Sequence, residues 1–159
     1  MIQFLDIDLC KMAIKDGTQN GWYRVEDGYK YDHVIIKFPE VHDTIISKFE
    51  STKNVKVEYG SNWTRILKFG VGDKLPTHTF DYNKEIDKKY SDTNFAIVIF
   101  LNDDFEGGKY YINSKKVKTD IGYGYIHNKT STGKLTEITK GECYLLITHI
   151  FHLDKKYLL

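Results

Sequence analysis

The stretch "NFAIVIFLNDDFEGGKYYI", Asn94 to Ile112, decides the fold class. Phe95 to Leu101 is a continuous apolar run, too short for a buried helix and typical of a strand covered on both faces. The acidic loop that follows carries Gly107-Gly108, a glycine pair that returns the chain into another strand. Working outward, "TRILKF", "GYGYIHN" and "CYLLITHIFHL" read as further strands. The last alternates between two faces and places Cys143, Leu145, Ile147 and His149 together. "VKVEY", from Val55, also alternates and is expected to be a strand. Two prolines against twelve tyrosines fit sheets better than helix bundles.

Two helices are expected before these strands. In "FPEVHDTIISKFEST", Pro39 suits the first turn, Glu40 and Asp43 suit the N-terminal end, and Val41, Ile45, Ile46 and Phe49 form an apolar stripe. "DIDLCKMAIKDG" is a weaker helix, expected to end at Gly17. The fold class is therefore α+β and mainly β: a β-sandwich or barrel buttressed by N-terminal helices.

The 159 residues suit one domain, and no repeat or composition break divides them. Residues 1–58 are expected to give helical and strand support, and 59–152 the core. With 23 basic and 22 acidic side chains there is no global field to draw nucleic acid or membrane, so direct nucleic-acid binding is not expected. The runs Lys115-Lys116-Val117-Lys118 and Lys155-Lys156 read as solvated surface. Charges at Asp6, Asp8 and Lys11 interrupt any signal-peptide core, and no apolar run reaches the ~18 residues of a membrane span. An intracellular protein, in cytoplasm or nucleus, is expected. Cys10 and Cys143 are the only cysteines, too few for a disulfide framework. Richness in Lys, Asn, Ile and Tyr hints at an AT-rich genome.

Three stretches, "ILKFGVGDKLPTHTF", "AIVIFLNDDFEGGKYYI" and "IGYGYIHNKTSTGKLTEITKGECYLLITHI", together resemble the prolyl 4-hydroxylase branch of the 2-oxoglutarate, Fe(II)-dependent oxygenases over about Trp63–Ile150. The most specific piece is "FLNDDFEGGK", similar to the family's Tyr-Leu-Asn-Asp…Glu-Gly-Gly-Glu hairpin; "ITKGECYLL" resembles its late strand. The resemblance implies a double-stranded β-helix, or jelly-roll. It also implies a reaction in which two histidines and a carboxylate hold iron, leaving positions for 2-oxoglutarate and dioxygen. An arginine then forks onto the far carboxylate of 2-oxoglutarate, and a tyrosine adds a hydroxyl contact.

Carried onto this chain residue by residue, the resemblance implies loss of that chemistry. His78 matches the first histidine. The carboxylate position is Phe80, the second histidine position is Gly133, the tyrosine position is Phe69 and the arginine position is Cys143. A single imidazole holds a divalent metal weakly, because affinity rests on several preoriented ligands. No catalytic residue, metal or cofactor is therefore expected. Two residues offer a rescue. Asp81 would serve only if a bulge shifted the strand, since a one-residue slip sends a side chain to the other face. His149 shares a face with Cys143, where the family often carries a tryptophan near the iron. His152 faces the other way, His127 resembles a loop position that is not a ligand, and His33 and His42 read as surface or helix-flanking. Trp63 and Tyr59 read as core rather than as a stacking surface, and Cys143 as a quiet buried thiol.

The expected function is that of a pseudoenzyme: an inactive oxygenase-like domain kept as a protein-binding module. The resemblance extends to poxvirus immunomodulators, whose degenerate prolyl-hydroxylase-like domains bind host proteins, including the oxygen-sensing prolyl hydroxylase and the Ku heterodimer. The competing reading is a divergent Fe(II)/2-oxoglutarate-dependent dioxygenase using His78 with Asp81 or His149, and Lys109 or Lys134 as the cosubstrate's cation.

Overall fold

The computed structural model describes residues 1–26, 29–35, 38–58, 62–79, 95–151 and 153–154. Phe80, Asp81, Tyr59 and His152 lie outside them, so the expectations placed on those residues are not addressed by the structure.

Phe95–Phe100 forms strand β6 and is covered on both faces, as its sequence predicts. Ala96, Val98 and Phe100 enter one apolar cluster, and Ile97 and Ile99 the other. Around it run β1 (Ile2–Gln3), β2 (Tyr23–Val25), β3 (Tyr31–Ile35), β4 (Asn62–Phe69), β10 (Tyr123–Asn128) and β13 (Cys143–Ile150). These make a seven-stranded sheet in the order β1-β10-β6-β13-β4-β3-β2. A second sheet holds β5 (Leu75–Thr79), β11 (Thr132–Leu135), β8 (Tyr110–Ile112) and β9 (Lys115–Lys116), in the order β5-β11-β8-β9. A third pairs β12 (Ile138–Lys140) with β7 (Glu106–Gly107).

Helices α1 (Ile7–Asn20) and α2 (Pro39–Lys53) cover one face of the large sheet. The second sheet covers the other, through Leu75, Tyr110 and Leu135. This is the antiparallel jelly-roll buttressed by N-terminal helices. No helix among the described residues is long and apolar enough to cross a membrane.

Local chemistry sets the helix ends. Asp6 caps α1 by accepting from the Leu9 amide at 2.8 Å. Pro39 opens α2, and Asn54 closes it in the left-handed region, a conformation that asparagine tolerates. Gly17 does not end α1, which continues three residues further. Gly17 is buried inside it because the helix crosses the sheet closely there: a Cβ would stand 3.0 Å from Val34 Cγ1. The Val55 segment is also no regular strand among the described residues, and only Val57 bridges, to Leu153. The N-terminal third contributes three strands directly to the large sheet.

Two polar features fix the frame. His42 on α2 is hydrogen bonded through Nδ1 to Thr64 Oγ1 at 2.6 Å, and Thr64 to Thr148 Oγ1 at 2.9 Å, within the apolar helix–sheet layer. His42 is thus an internal tether rather than a surface residue. Arg24 on β2 forks onto Asp73 at 2.7 and 2.9 Å, and Asp73 also accepts from the Gly70 amide at 2.9 Å. This pins the sheet edge to the turn between β4 and β5.

The Arg24 hydrogen bond holds the Asp73 carboxyl below the usual carboxylate range, against the opposing effect of burial. A depressed value gives stability that is present above the ordinary carboxylate pKa and lost as pH falls through the folded one. Arg24 is 39% exposed, so screening reduces the pair's worth. Asp73→Ala is expected to cost about 2 kcal/mol in urea unfolding at neutral pH. The gap to wild type should close in acid; a gap unchanged there would contradict the ion-pair account.

Candidate functional site

The face of the large sheet opposite the helices, together with β5 and Tyr29, lines a cleft of about 520 Å³. Of the described positions identified by sequence, His78 lines it. On the β11–β5 ladder, Gly133 stands directly opposite His78, and Leu135 opposite Leu75. Gly133 and Leu135 are two residues apart, whereas their partners are three apart. A register shift absorbs the extra residue, so Leu75 and His78 can both face inward. The irregularity thus lies before His78.

His78 Nδ1–H donates to the Pro76 carbonyl at 3.0 Å, and the ring meets Tyr29 edge-on at 5.9 Å. Burial lowers its pKa, opposed by the backbone of Pro76 and Gly133, with the Arg65 charge lowering it further. The imidazole is therefore neutral at neutral pH.

On the β13–β4 ladder, Cys143 stands opposite Phe69, and both are fully buried. Burial pushes the Cys143 thiol far up, so no thiolate forms. The alternation predicted for β13 holds: Leu145 and Ile147 share the cleft-side cluster with Cys143. His149, also on this face, is buried and stacked on Trp63 at 5.6 Å and Phe151 at 6.2 Å. Its pKa is pushed down to about 3 by burial, then by Arg65 and His78.

His127 lies in the strand read from its sequence and not at the loop position that the resemblance implied. It lies within β10, buried, with Nε2 hydrogen bonded to the Tyr110 hydroxyl at 2.9 Å. His127 and His149 both pair with Ala96, on either side of β6. Burial, then the nearby His78, pushes His127 down to about 4. His33 is likewise half-buried on β3, between Tyr23 and Tyr31, rather than at the surface.

The two lysines considered as cations do not line the cleft. Lys134 alternates with the inward Gly133 and Leu135 and lies over Tyr111 at 5.6 Å. Lys109 is exposed beside Thr136. Among the described residues, the cation lining the cleft is Arg65, which sequence reasoning missed. The signal was available, since Trp63, Arg65, Leu67 and Phe69 occupy alternate positions of one strand and share a face.

Among the described residues, no group of three His, Cys, Asp or Glu side chains could hold a metal ion. Gly133 brings no donor to His78, while Cys143 and Phe69 bring neither charge nor hydroxyl. These residues do not fit an iron centre with 2-oxoglutarate anchored beside it.

The fold is that of the 2-oxoglutarate, Fe(II)-dependent oxygenases, in the form taken by prolyl 4-hydroxylases. Among solved structures, the viral collagen prolyl hydroxylase of Paramecium bursaria Chlorella virus-1, as its 2OG complex, superposes with a TM-score of 0.74 at 15% identity, covering 97% of this chain and 94% of that one. A Pseudomonas putida prolyl-4-hydroxylase gives 0.71 at 11% identity, covering 96% and 90%. An oxidoreductase of the 2OG-Fe(II) oxygenase family from Burkholderia pseudomallei gives 0.63 at 11% identity, covering 89% and 78%. No protein-family model matches the chain, and no curated protein matches it.

Proposed function

We propose that this chain is a catalytically inactive derivative of the oxygenase fold and acts as a protein-binding module, in the manner of viral proteins that engage a host prolyl hydroxylase or Ku. The observation that carries the reading is register. The two histidine positions face each other as His78 and Gly133, and the two cosubstrate positions face each other as Cys143 and Phe69. The scaffold is in place, while three of these four positions lack the groups the chemistry needs. A protein partner suits the outer edge formed by β2 and β3, where Tyr23 is 70% and Ile35 47% exposed.

Titrating Fe(II) or Mn(II) into metal-free protein tests inactivity. The expected result is weak binding that 2-oxoglutarate does not strengthen, with no succinate formed from 2-oxoglutarate. Tight metal binding strengthened by 2-oxoglutarate, or succinate formation lost in His78→Ala, would establish a divergent dioxygenase instead. Affinity capture from host-cell extract, compared between wild type and Tyr23→Asp, tests the partner surface. Capture of a protein by wild type alone is expected, and equal capture by both would remove the β2–β3 edge from the reading.

A further inference from the structure

The 23 basic and 22 acidic side chains nearly cancel over the whole chain, which is why composition gives no field for a polyanion. The fold segregates them. The four strands of the second sheet carry Lys115, Lys116 and Lys134 and no carboxylate. Lys109 directly precedes β8, and all four lysines are exposed. Among the described residues none of the four is ion-paired, whereas Lys118 nearby is paired with Asp120 at 3.6 Å.

Register gathers these charges on one outer face. Tyr110 and Leu135 enter the core, so Tyr111 and Lys134, their neighbours in sequence, point out and away from the cleft. Tyr111 stands directly opposite Lys134 on one side and Lys116 on the other, and directly opposed residues share a face. A row Lys134-Tyr111-Lys116 therefore crosses three strands, its two cations about 10 Å apart at ordinary strand spacing. Lys109, two residues before Tyr111, continues the same face alongside Thr136. Lys134 Nζ lies 5.6 Å from the Tyr111 ring centroid. Both residues, with the hydroxyls of Ser114 and Thr132, line a recess of about 180 Å³.

The chemistry of this face narrows its ligand. Every cation is a lysine, a point charge that suits phosphate, and the arginine fork favoured by planar carboxylates is missing from it. The lysines are spread over three strands and do not converge, which suits a chain of phosphates better than a single one. The aromatic ring among them offers a stacking surface for an unpaired base. We propose that the outer face of the second sheet binds single-stranded nucleic acid. A base stacks on Tyr111, successive phosphates meet Lys109, Lys116 and Lys134, and Ser114 and Thr132 donate to phosphate oxygens. The site is independent of the protein-binding edge at β2–β3.

Fluorescence anisotropy of a labelled oligouridylate of about 12 nucleotides, titrated with the full chain in EDTA at about 50 to 200 mM NaCl, tests this. The expected result is saturable binding whose log affinity falls with log salt at a slope of about −2, from three lysine contacts at about 0.7 each. Lys116→Glu combined with Lys134→Glu should abolish binding. Tyr111→Ala should weaken it about tenfold, and Tyr111→Phe, which keeps the ring, should bind within about twofold of wild type. Lys11→Glu combined with Lys48→Glu makes the same charge change on the exposed helix side and should leave binding within about threefold. Absence of saturable binding at the lower salt, an equal loss in the helix-side pair, or an undiminished affinity in Tyr111→Ala would each overturn the proposal. Competition is read on wild type alone, so the test survives a variant that fails to fold. Unlabelled oligouridylate should displace the probe. Polyglutamate competing as strongly would assign the face to an acidic protein segment and overturn the proposal too.

Discussion

Lowering the pH from about 7 to about 4 is expected to remove about 3 kcal/mol of stability for each of His127 and His149, as an upper figure. The folded values are about 4 and about 3, both below the ordinary 6.5. Both rings are buried and held neutral, so below the ordinary value the unfolded chain binds protons that the native state refuses. Stability is complete above that value and falls as pH drops, until the folded values are reached. Urea unfolding across this range checks the slope. His149→Phe keeps an aromatic ring against Trp63 and Phe151 and removes one titrating group, so its slope should fall by about one proton's worth, the rest coming from His127 and from His33 and His78, which burial also holds below the ordinary value. Parallel slopes would show that the acid lability comes from elsewhere. The Asp73 contribution belongs to a lower window, because its folded value lies below the carboxylate range.

Gly122→Ala is the second large effect, expected at about 3–5 kcal/mol. Gly122 has φ +81° and joins β10 to the N-terminal strand. Its carbonyl accepts from the Phe4 and Leu5 amides at 2.9 and 3.1 Å, and its own amide donates to Phe100 at 2.8 Å. An added Cβ would fall on the Leu5 carbonyl oxygen, so the N-terminal segment would have to leave its place. Gly72→Ala is the matched control. Its φ is +88° with nothing within 4 Å of the added atom, so it should cost only the backbone term of about 1–2 kcal/mol. Denaturant midpoints of the two variants separate strain from collision; equal losses would leave the collision without effect.

The strand scaffold was legible because its signals are local. The apolar run at Phe95–Phe100, the glycine pair after the acidic loop and the alternation of β13 each specify a covered face without reference to a partner. The two helices were legible for the same reason, except at Gly17. Glycine reads as a stop in sequence, and only the proximity of Val34 reveals it as a packing residue. The positions of the site were legible, and what surrounds them less so. His78, Gly133, Phe69 and Cys143 were found by matching positions, and the ladders pair them as two facing couples. Arg65 was missed because its significance depends on what stands across the cleft. A cation in a strand reads as an edge or surface residue until the opposite wall is known.

The thread from His42 through Thr64 to Thr148 lies on the helix face of the sheet, yet it fixes a register that both faces share. If β13 slid two residues along β4, every side chain would keep its face. Thr64 would then oppose Leu146 or Ile150, and the hydroxyls and imidazole would be stranded in an apolar layer. Each orphan costs about 1–3 kcal/mol, so the helix side of the sheet penalises a misalignment to which the alternation itself is blind. The same slide would part Cys143 from Phe69 and Ile147 from Arg65 on the far side. The arrangement of the cleft is therefore proofread from the face that never touches it.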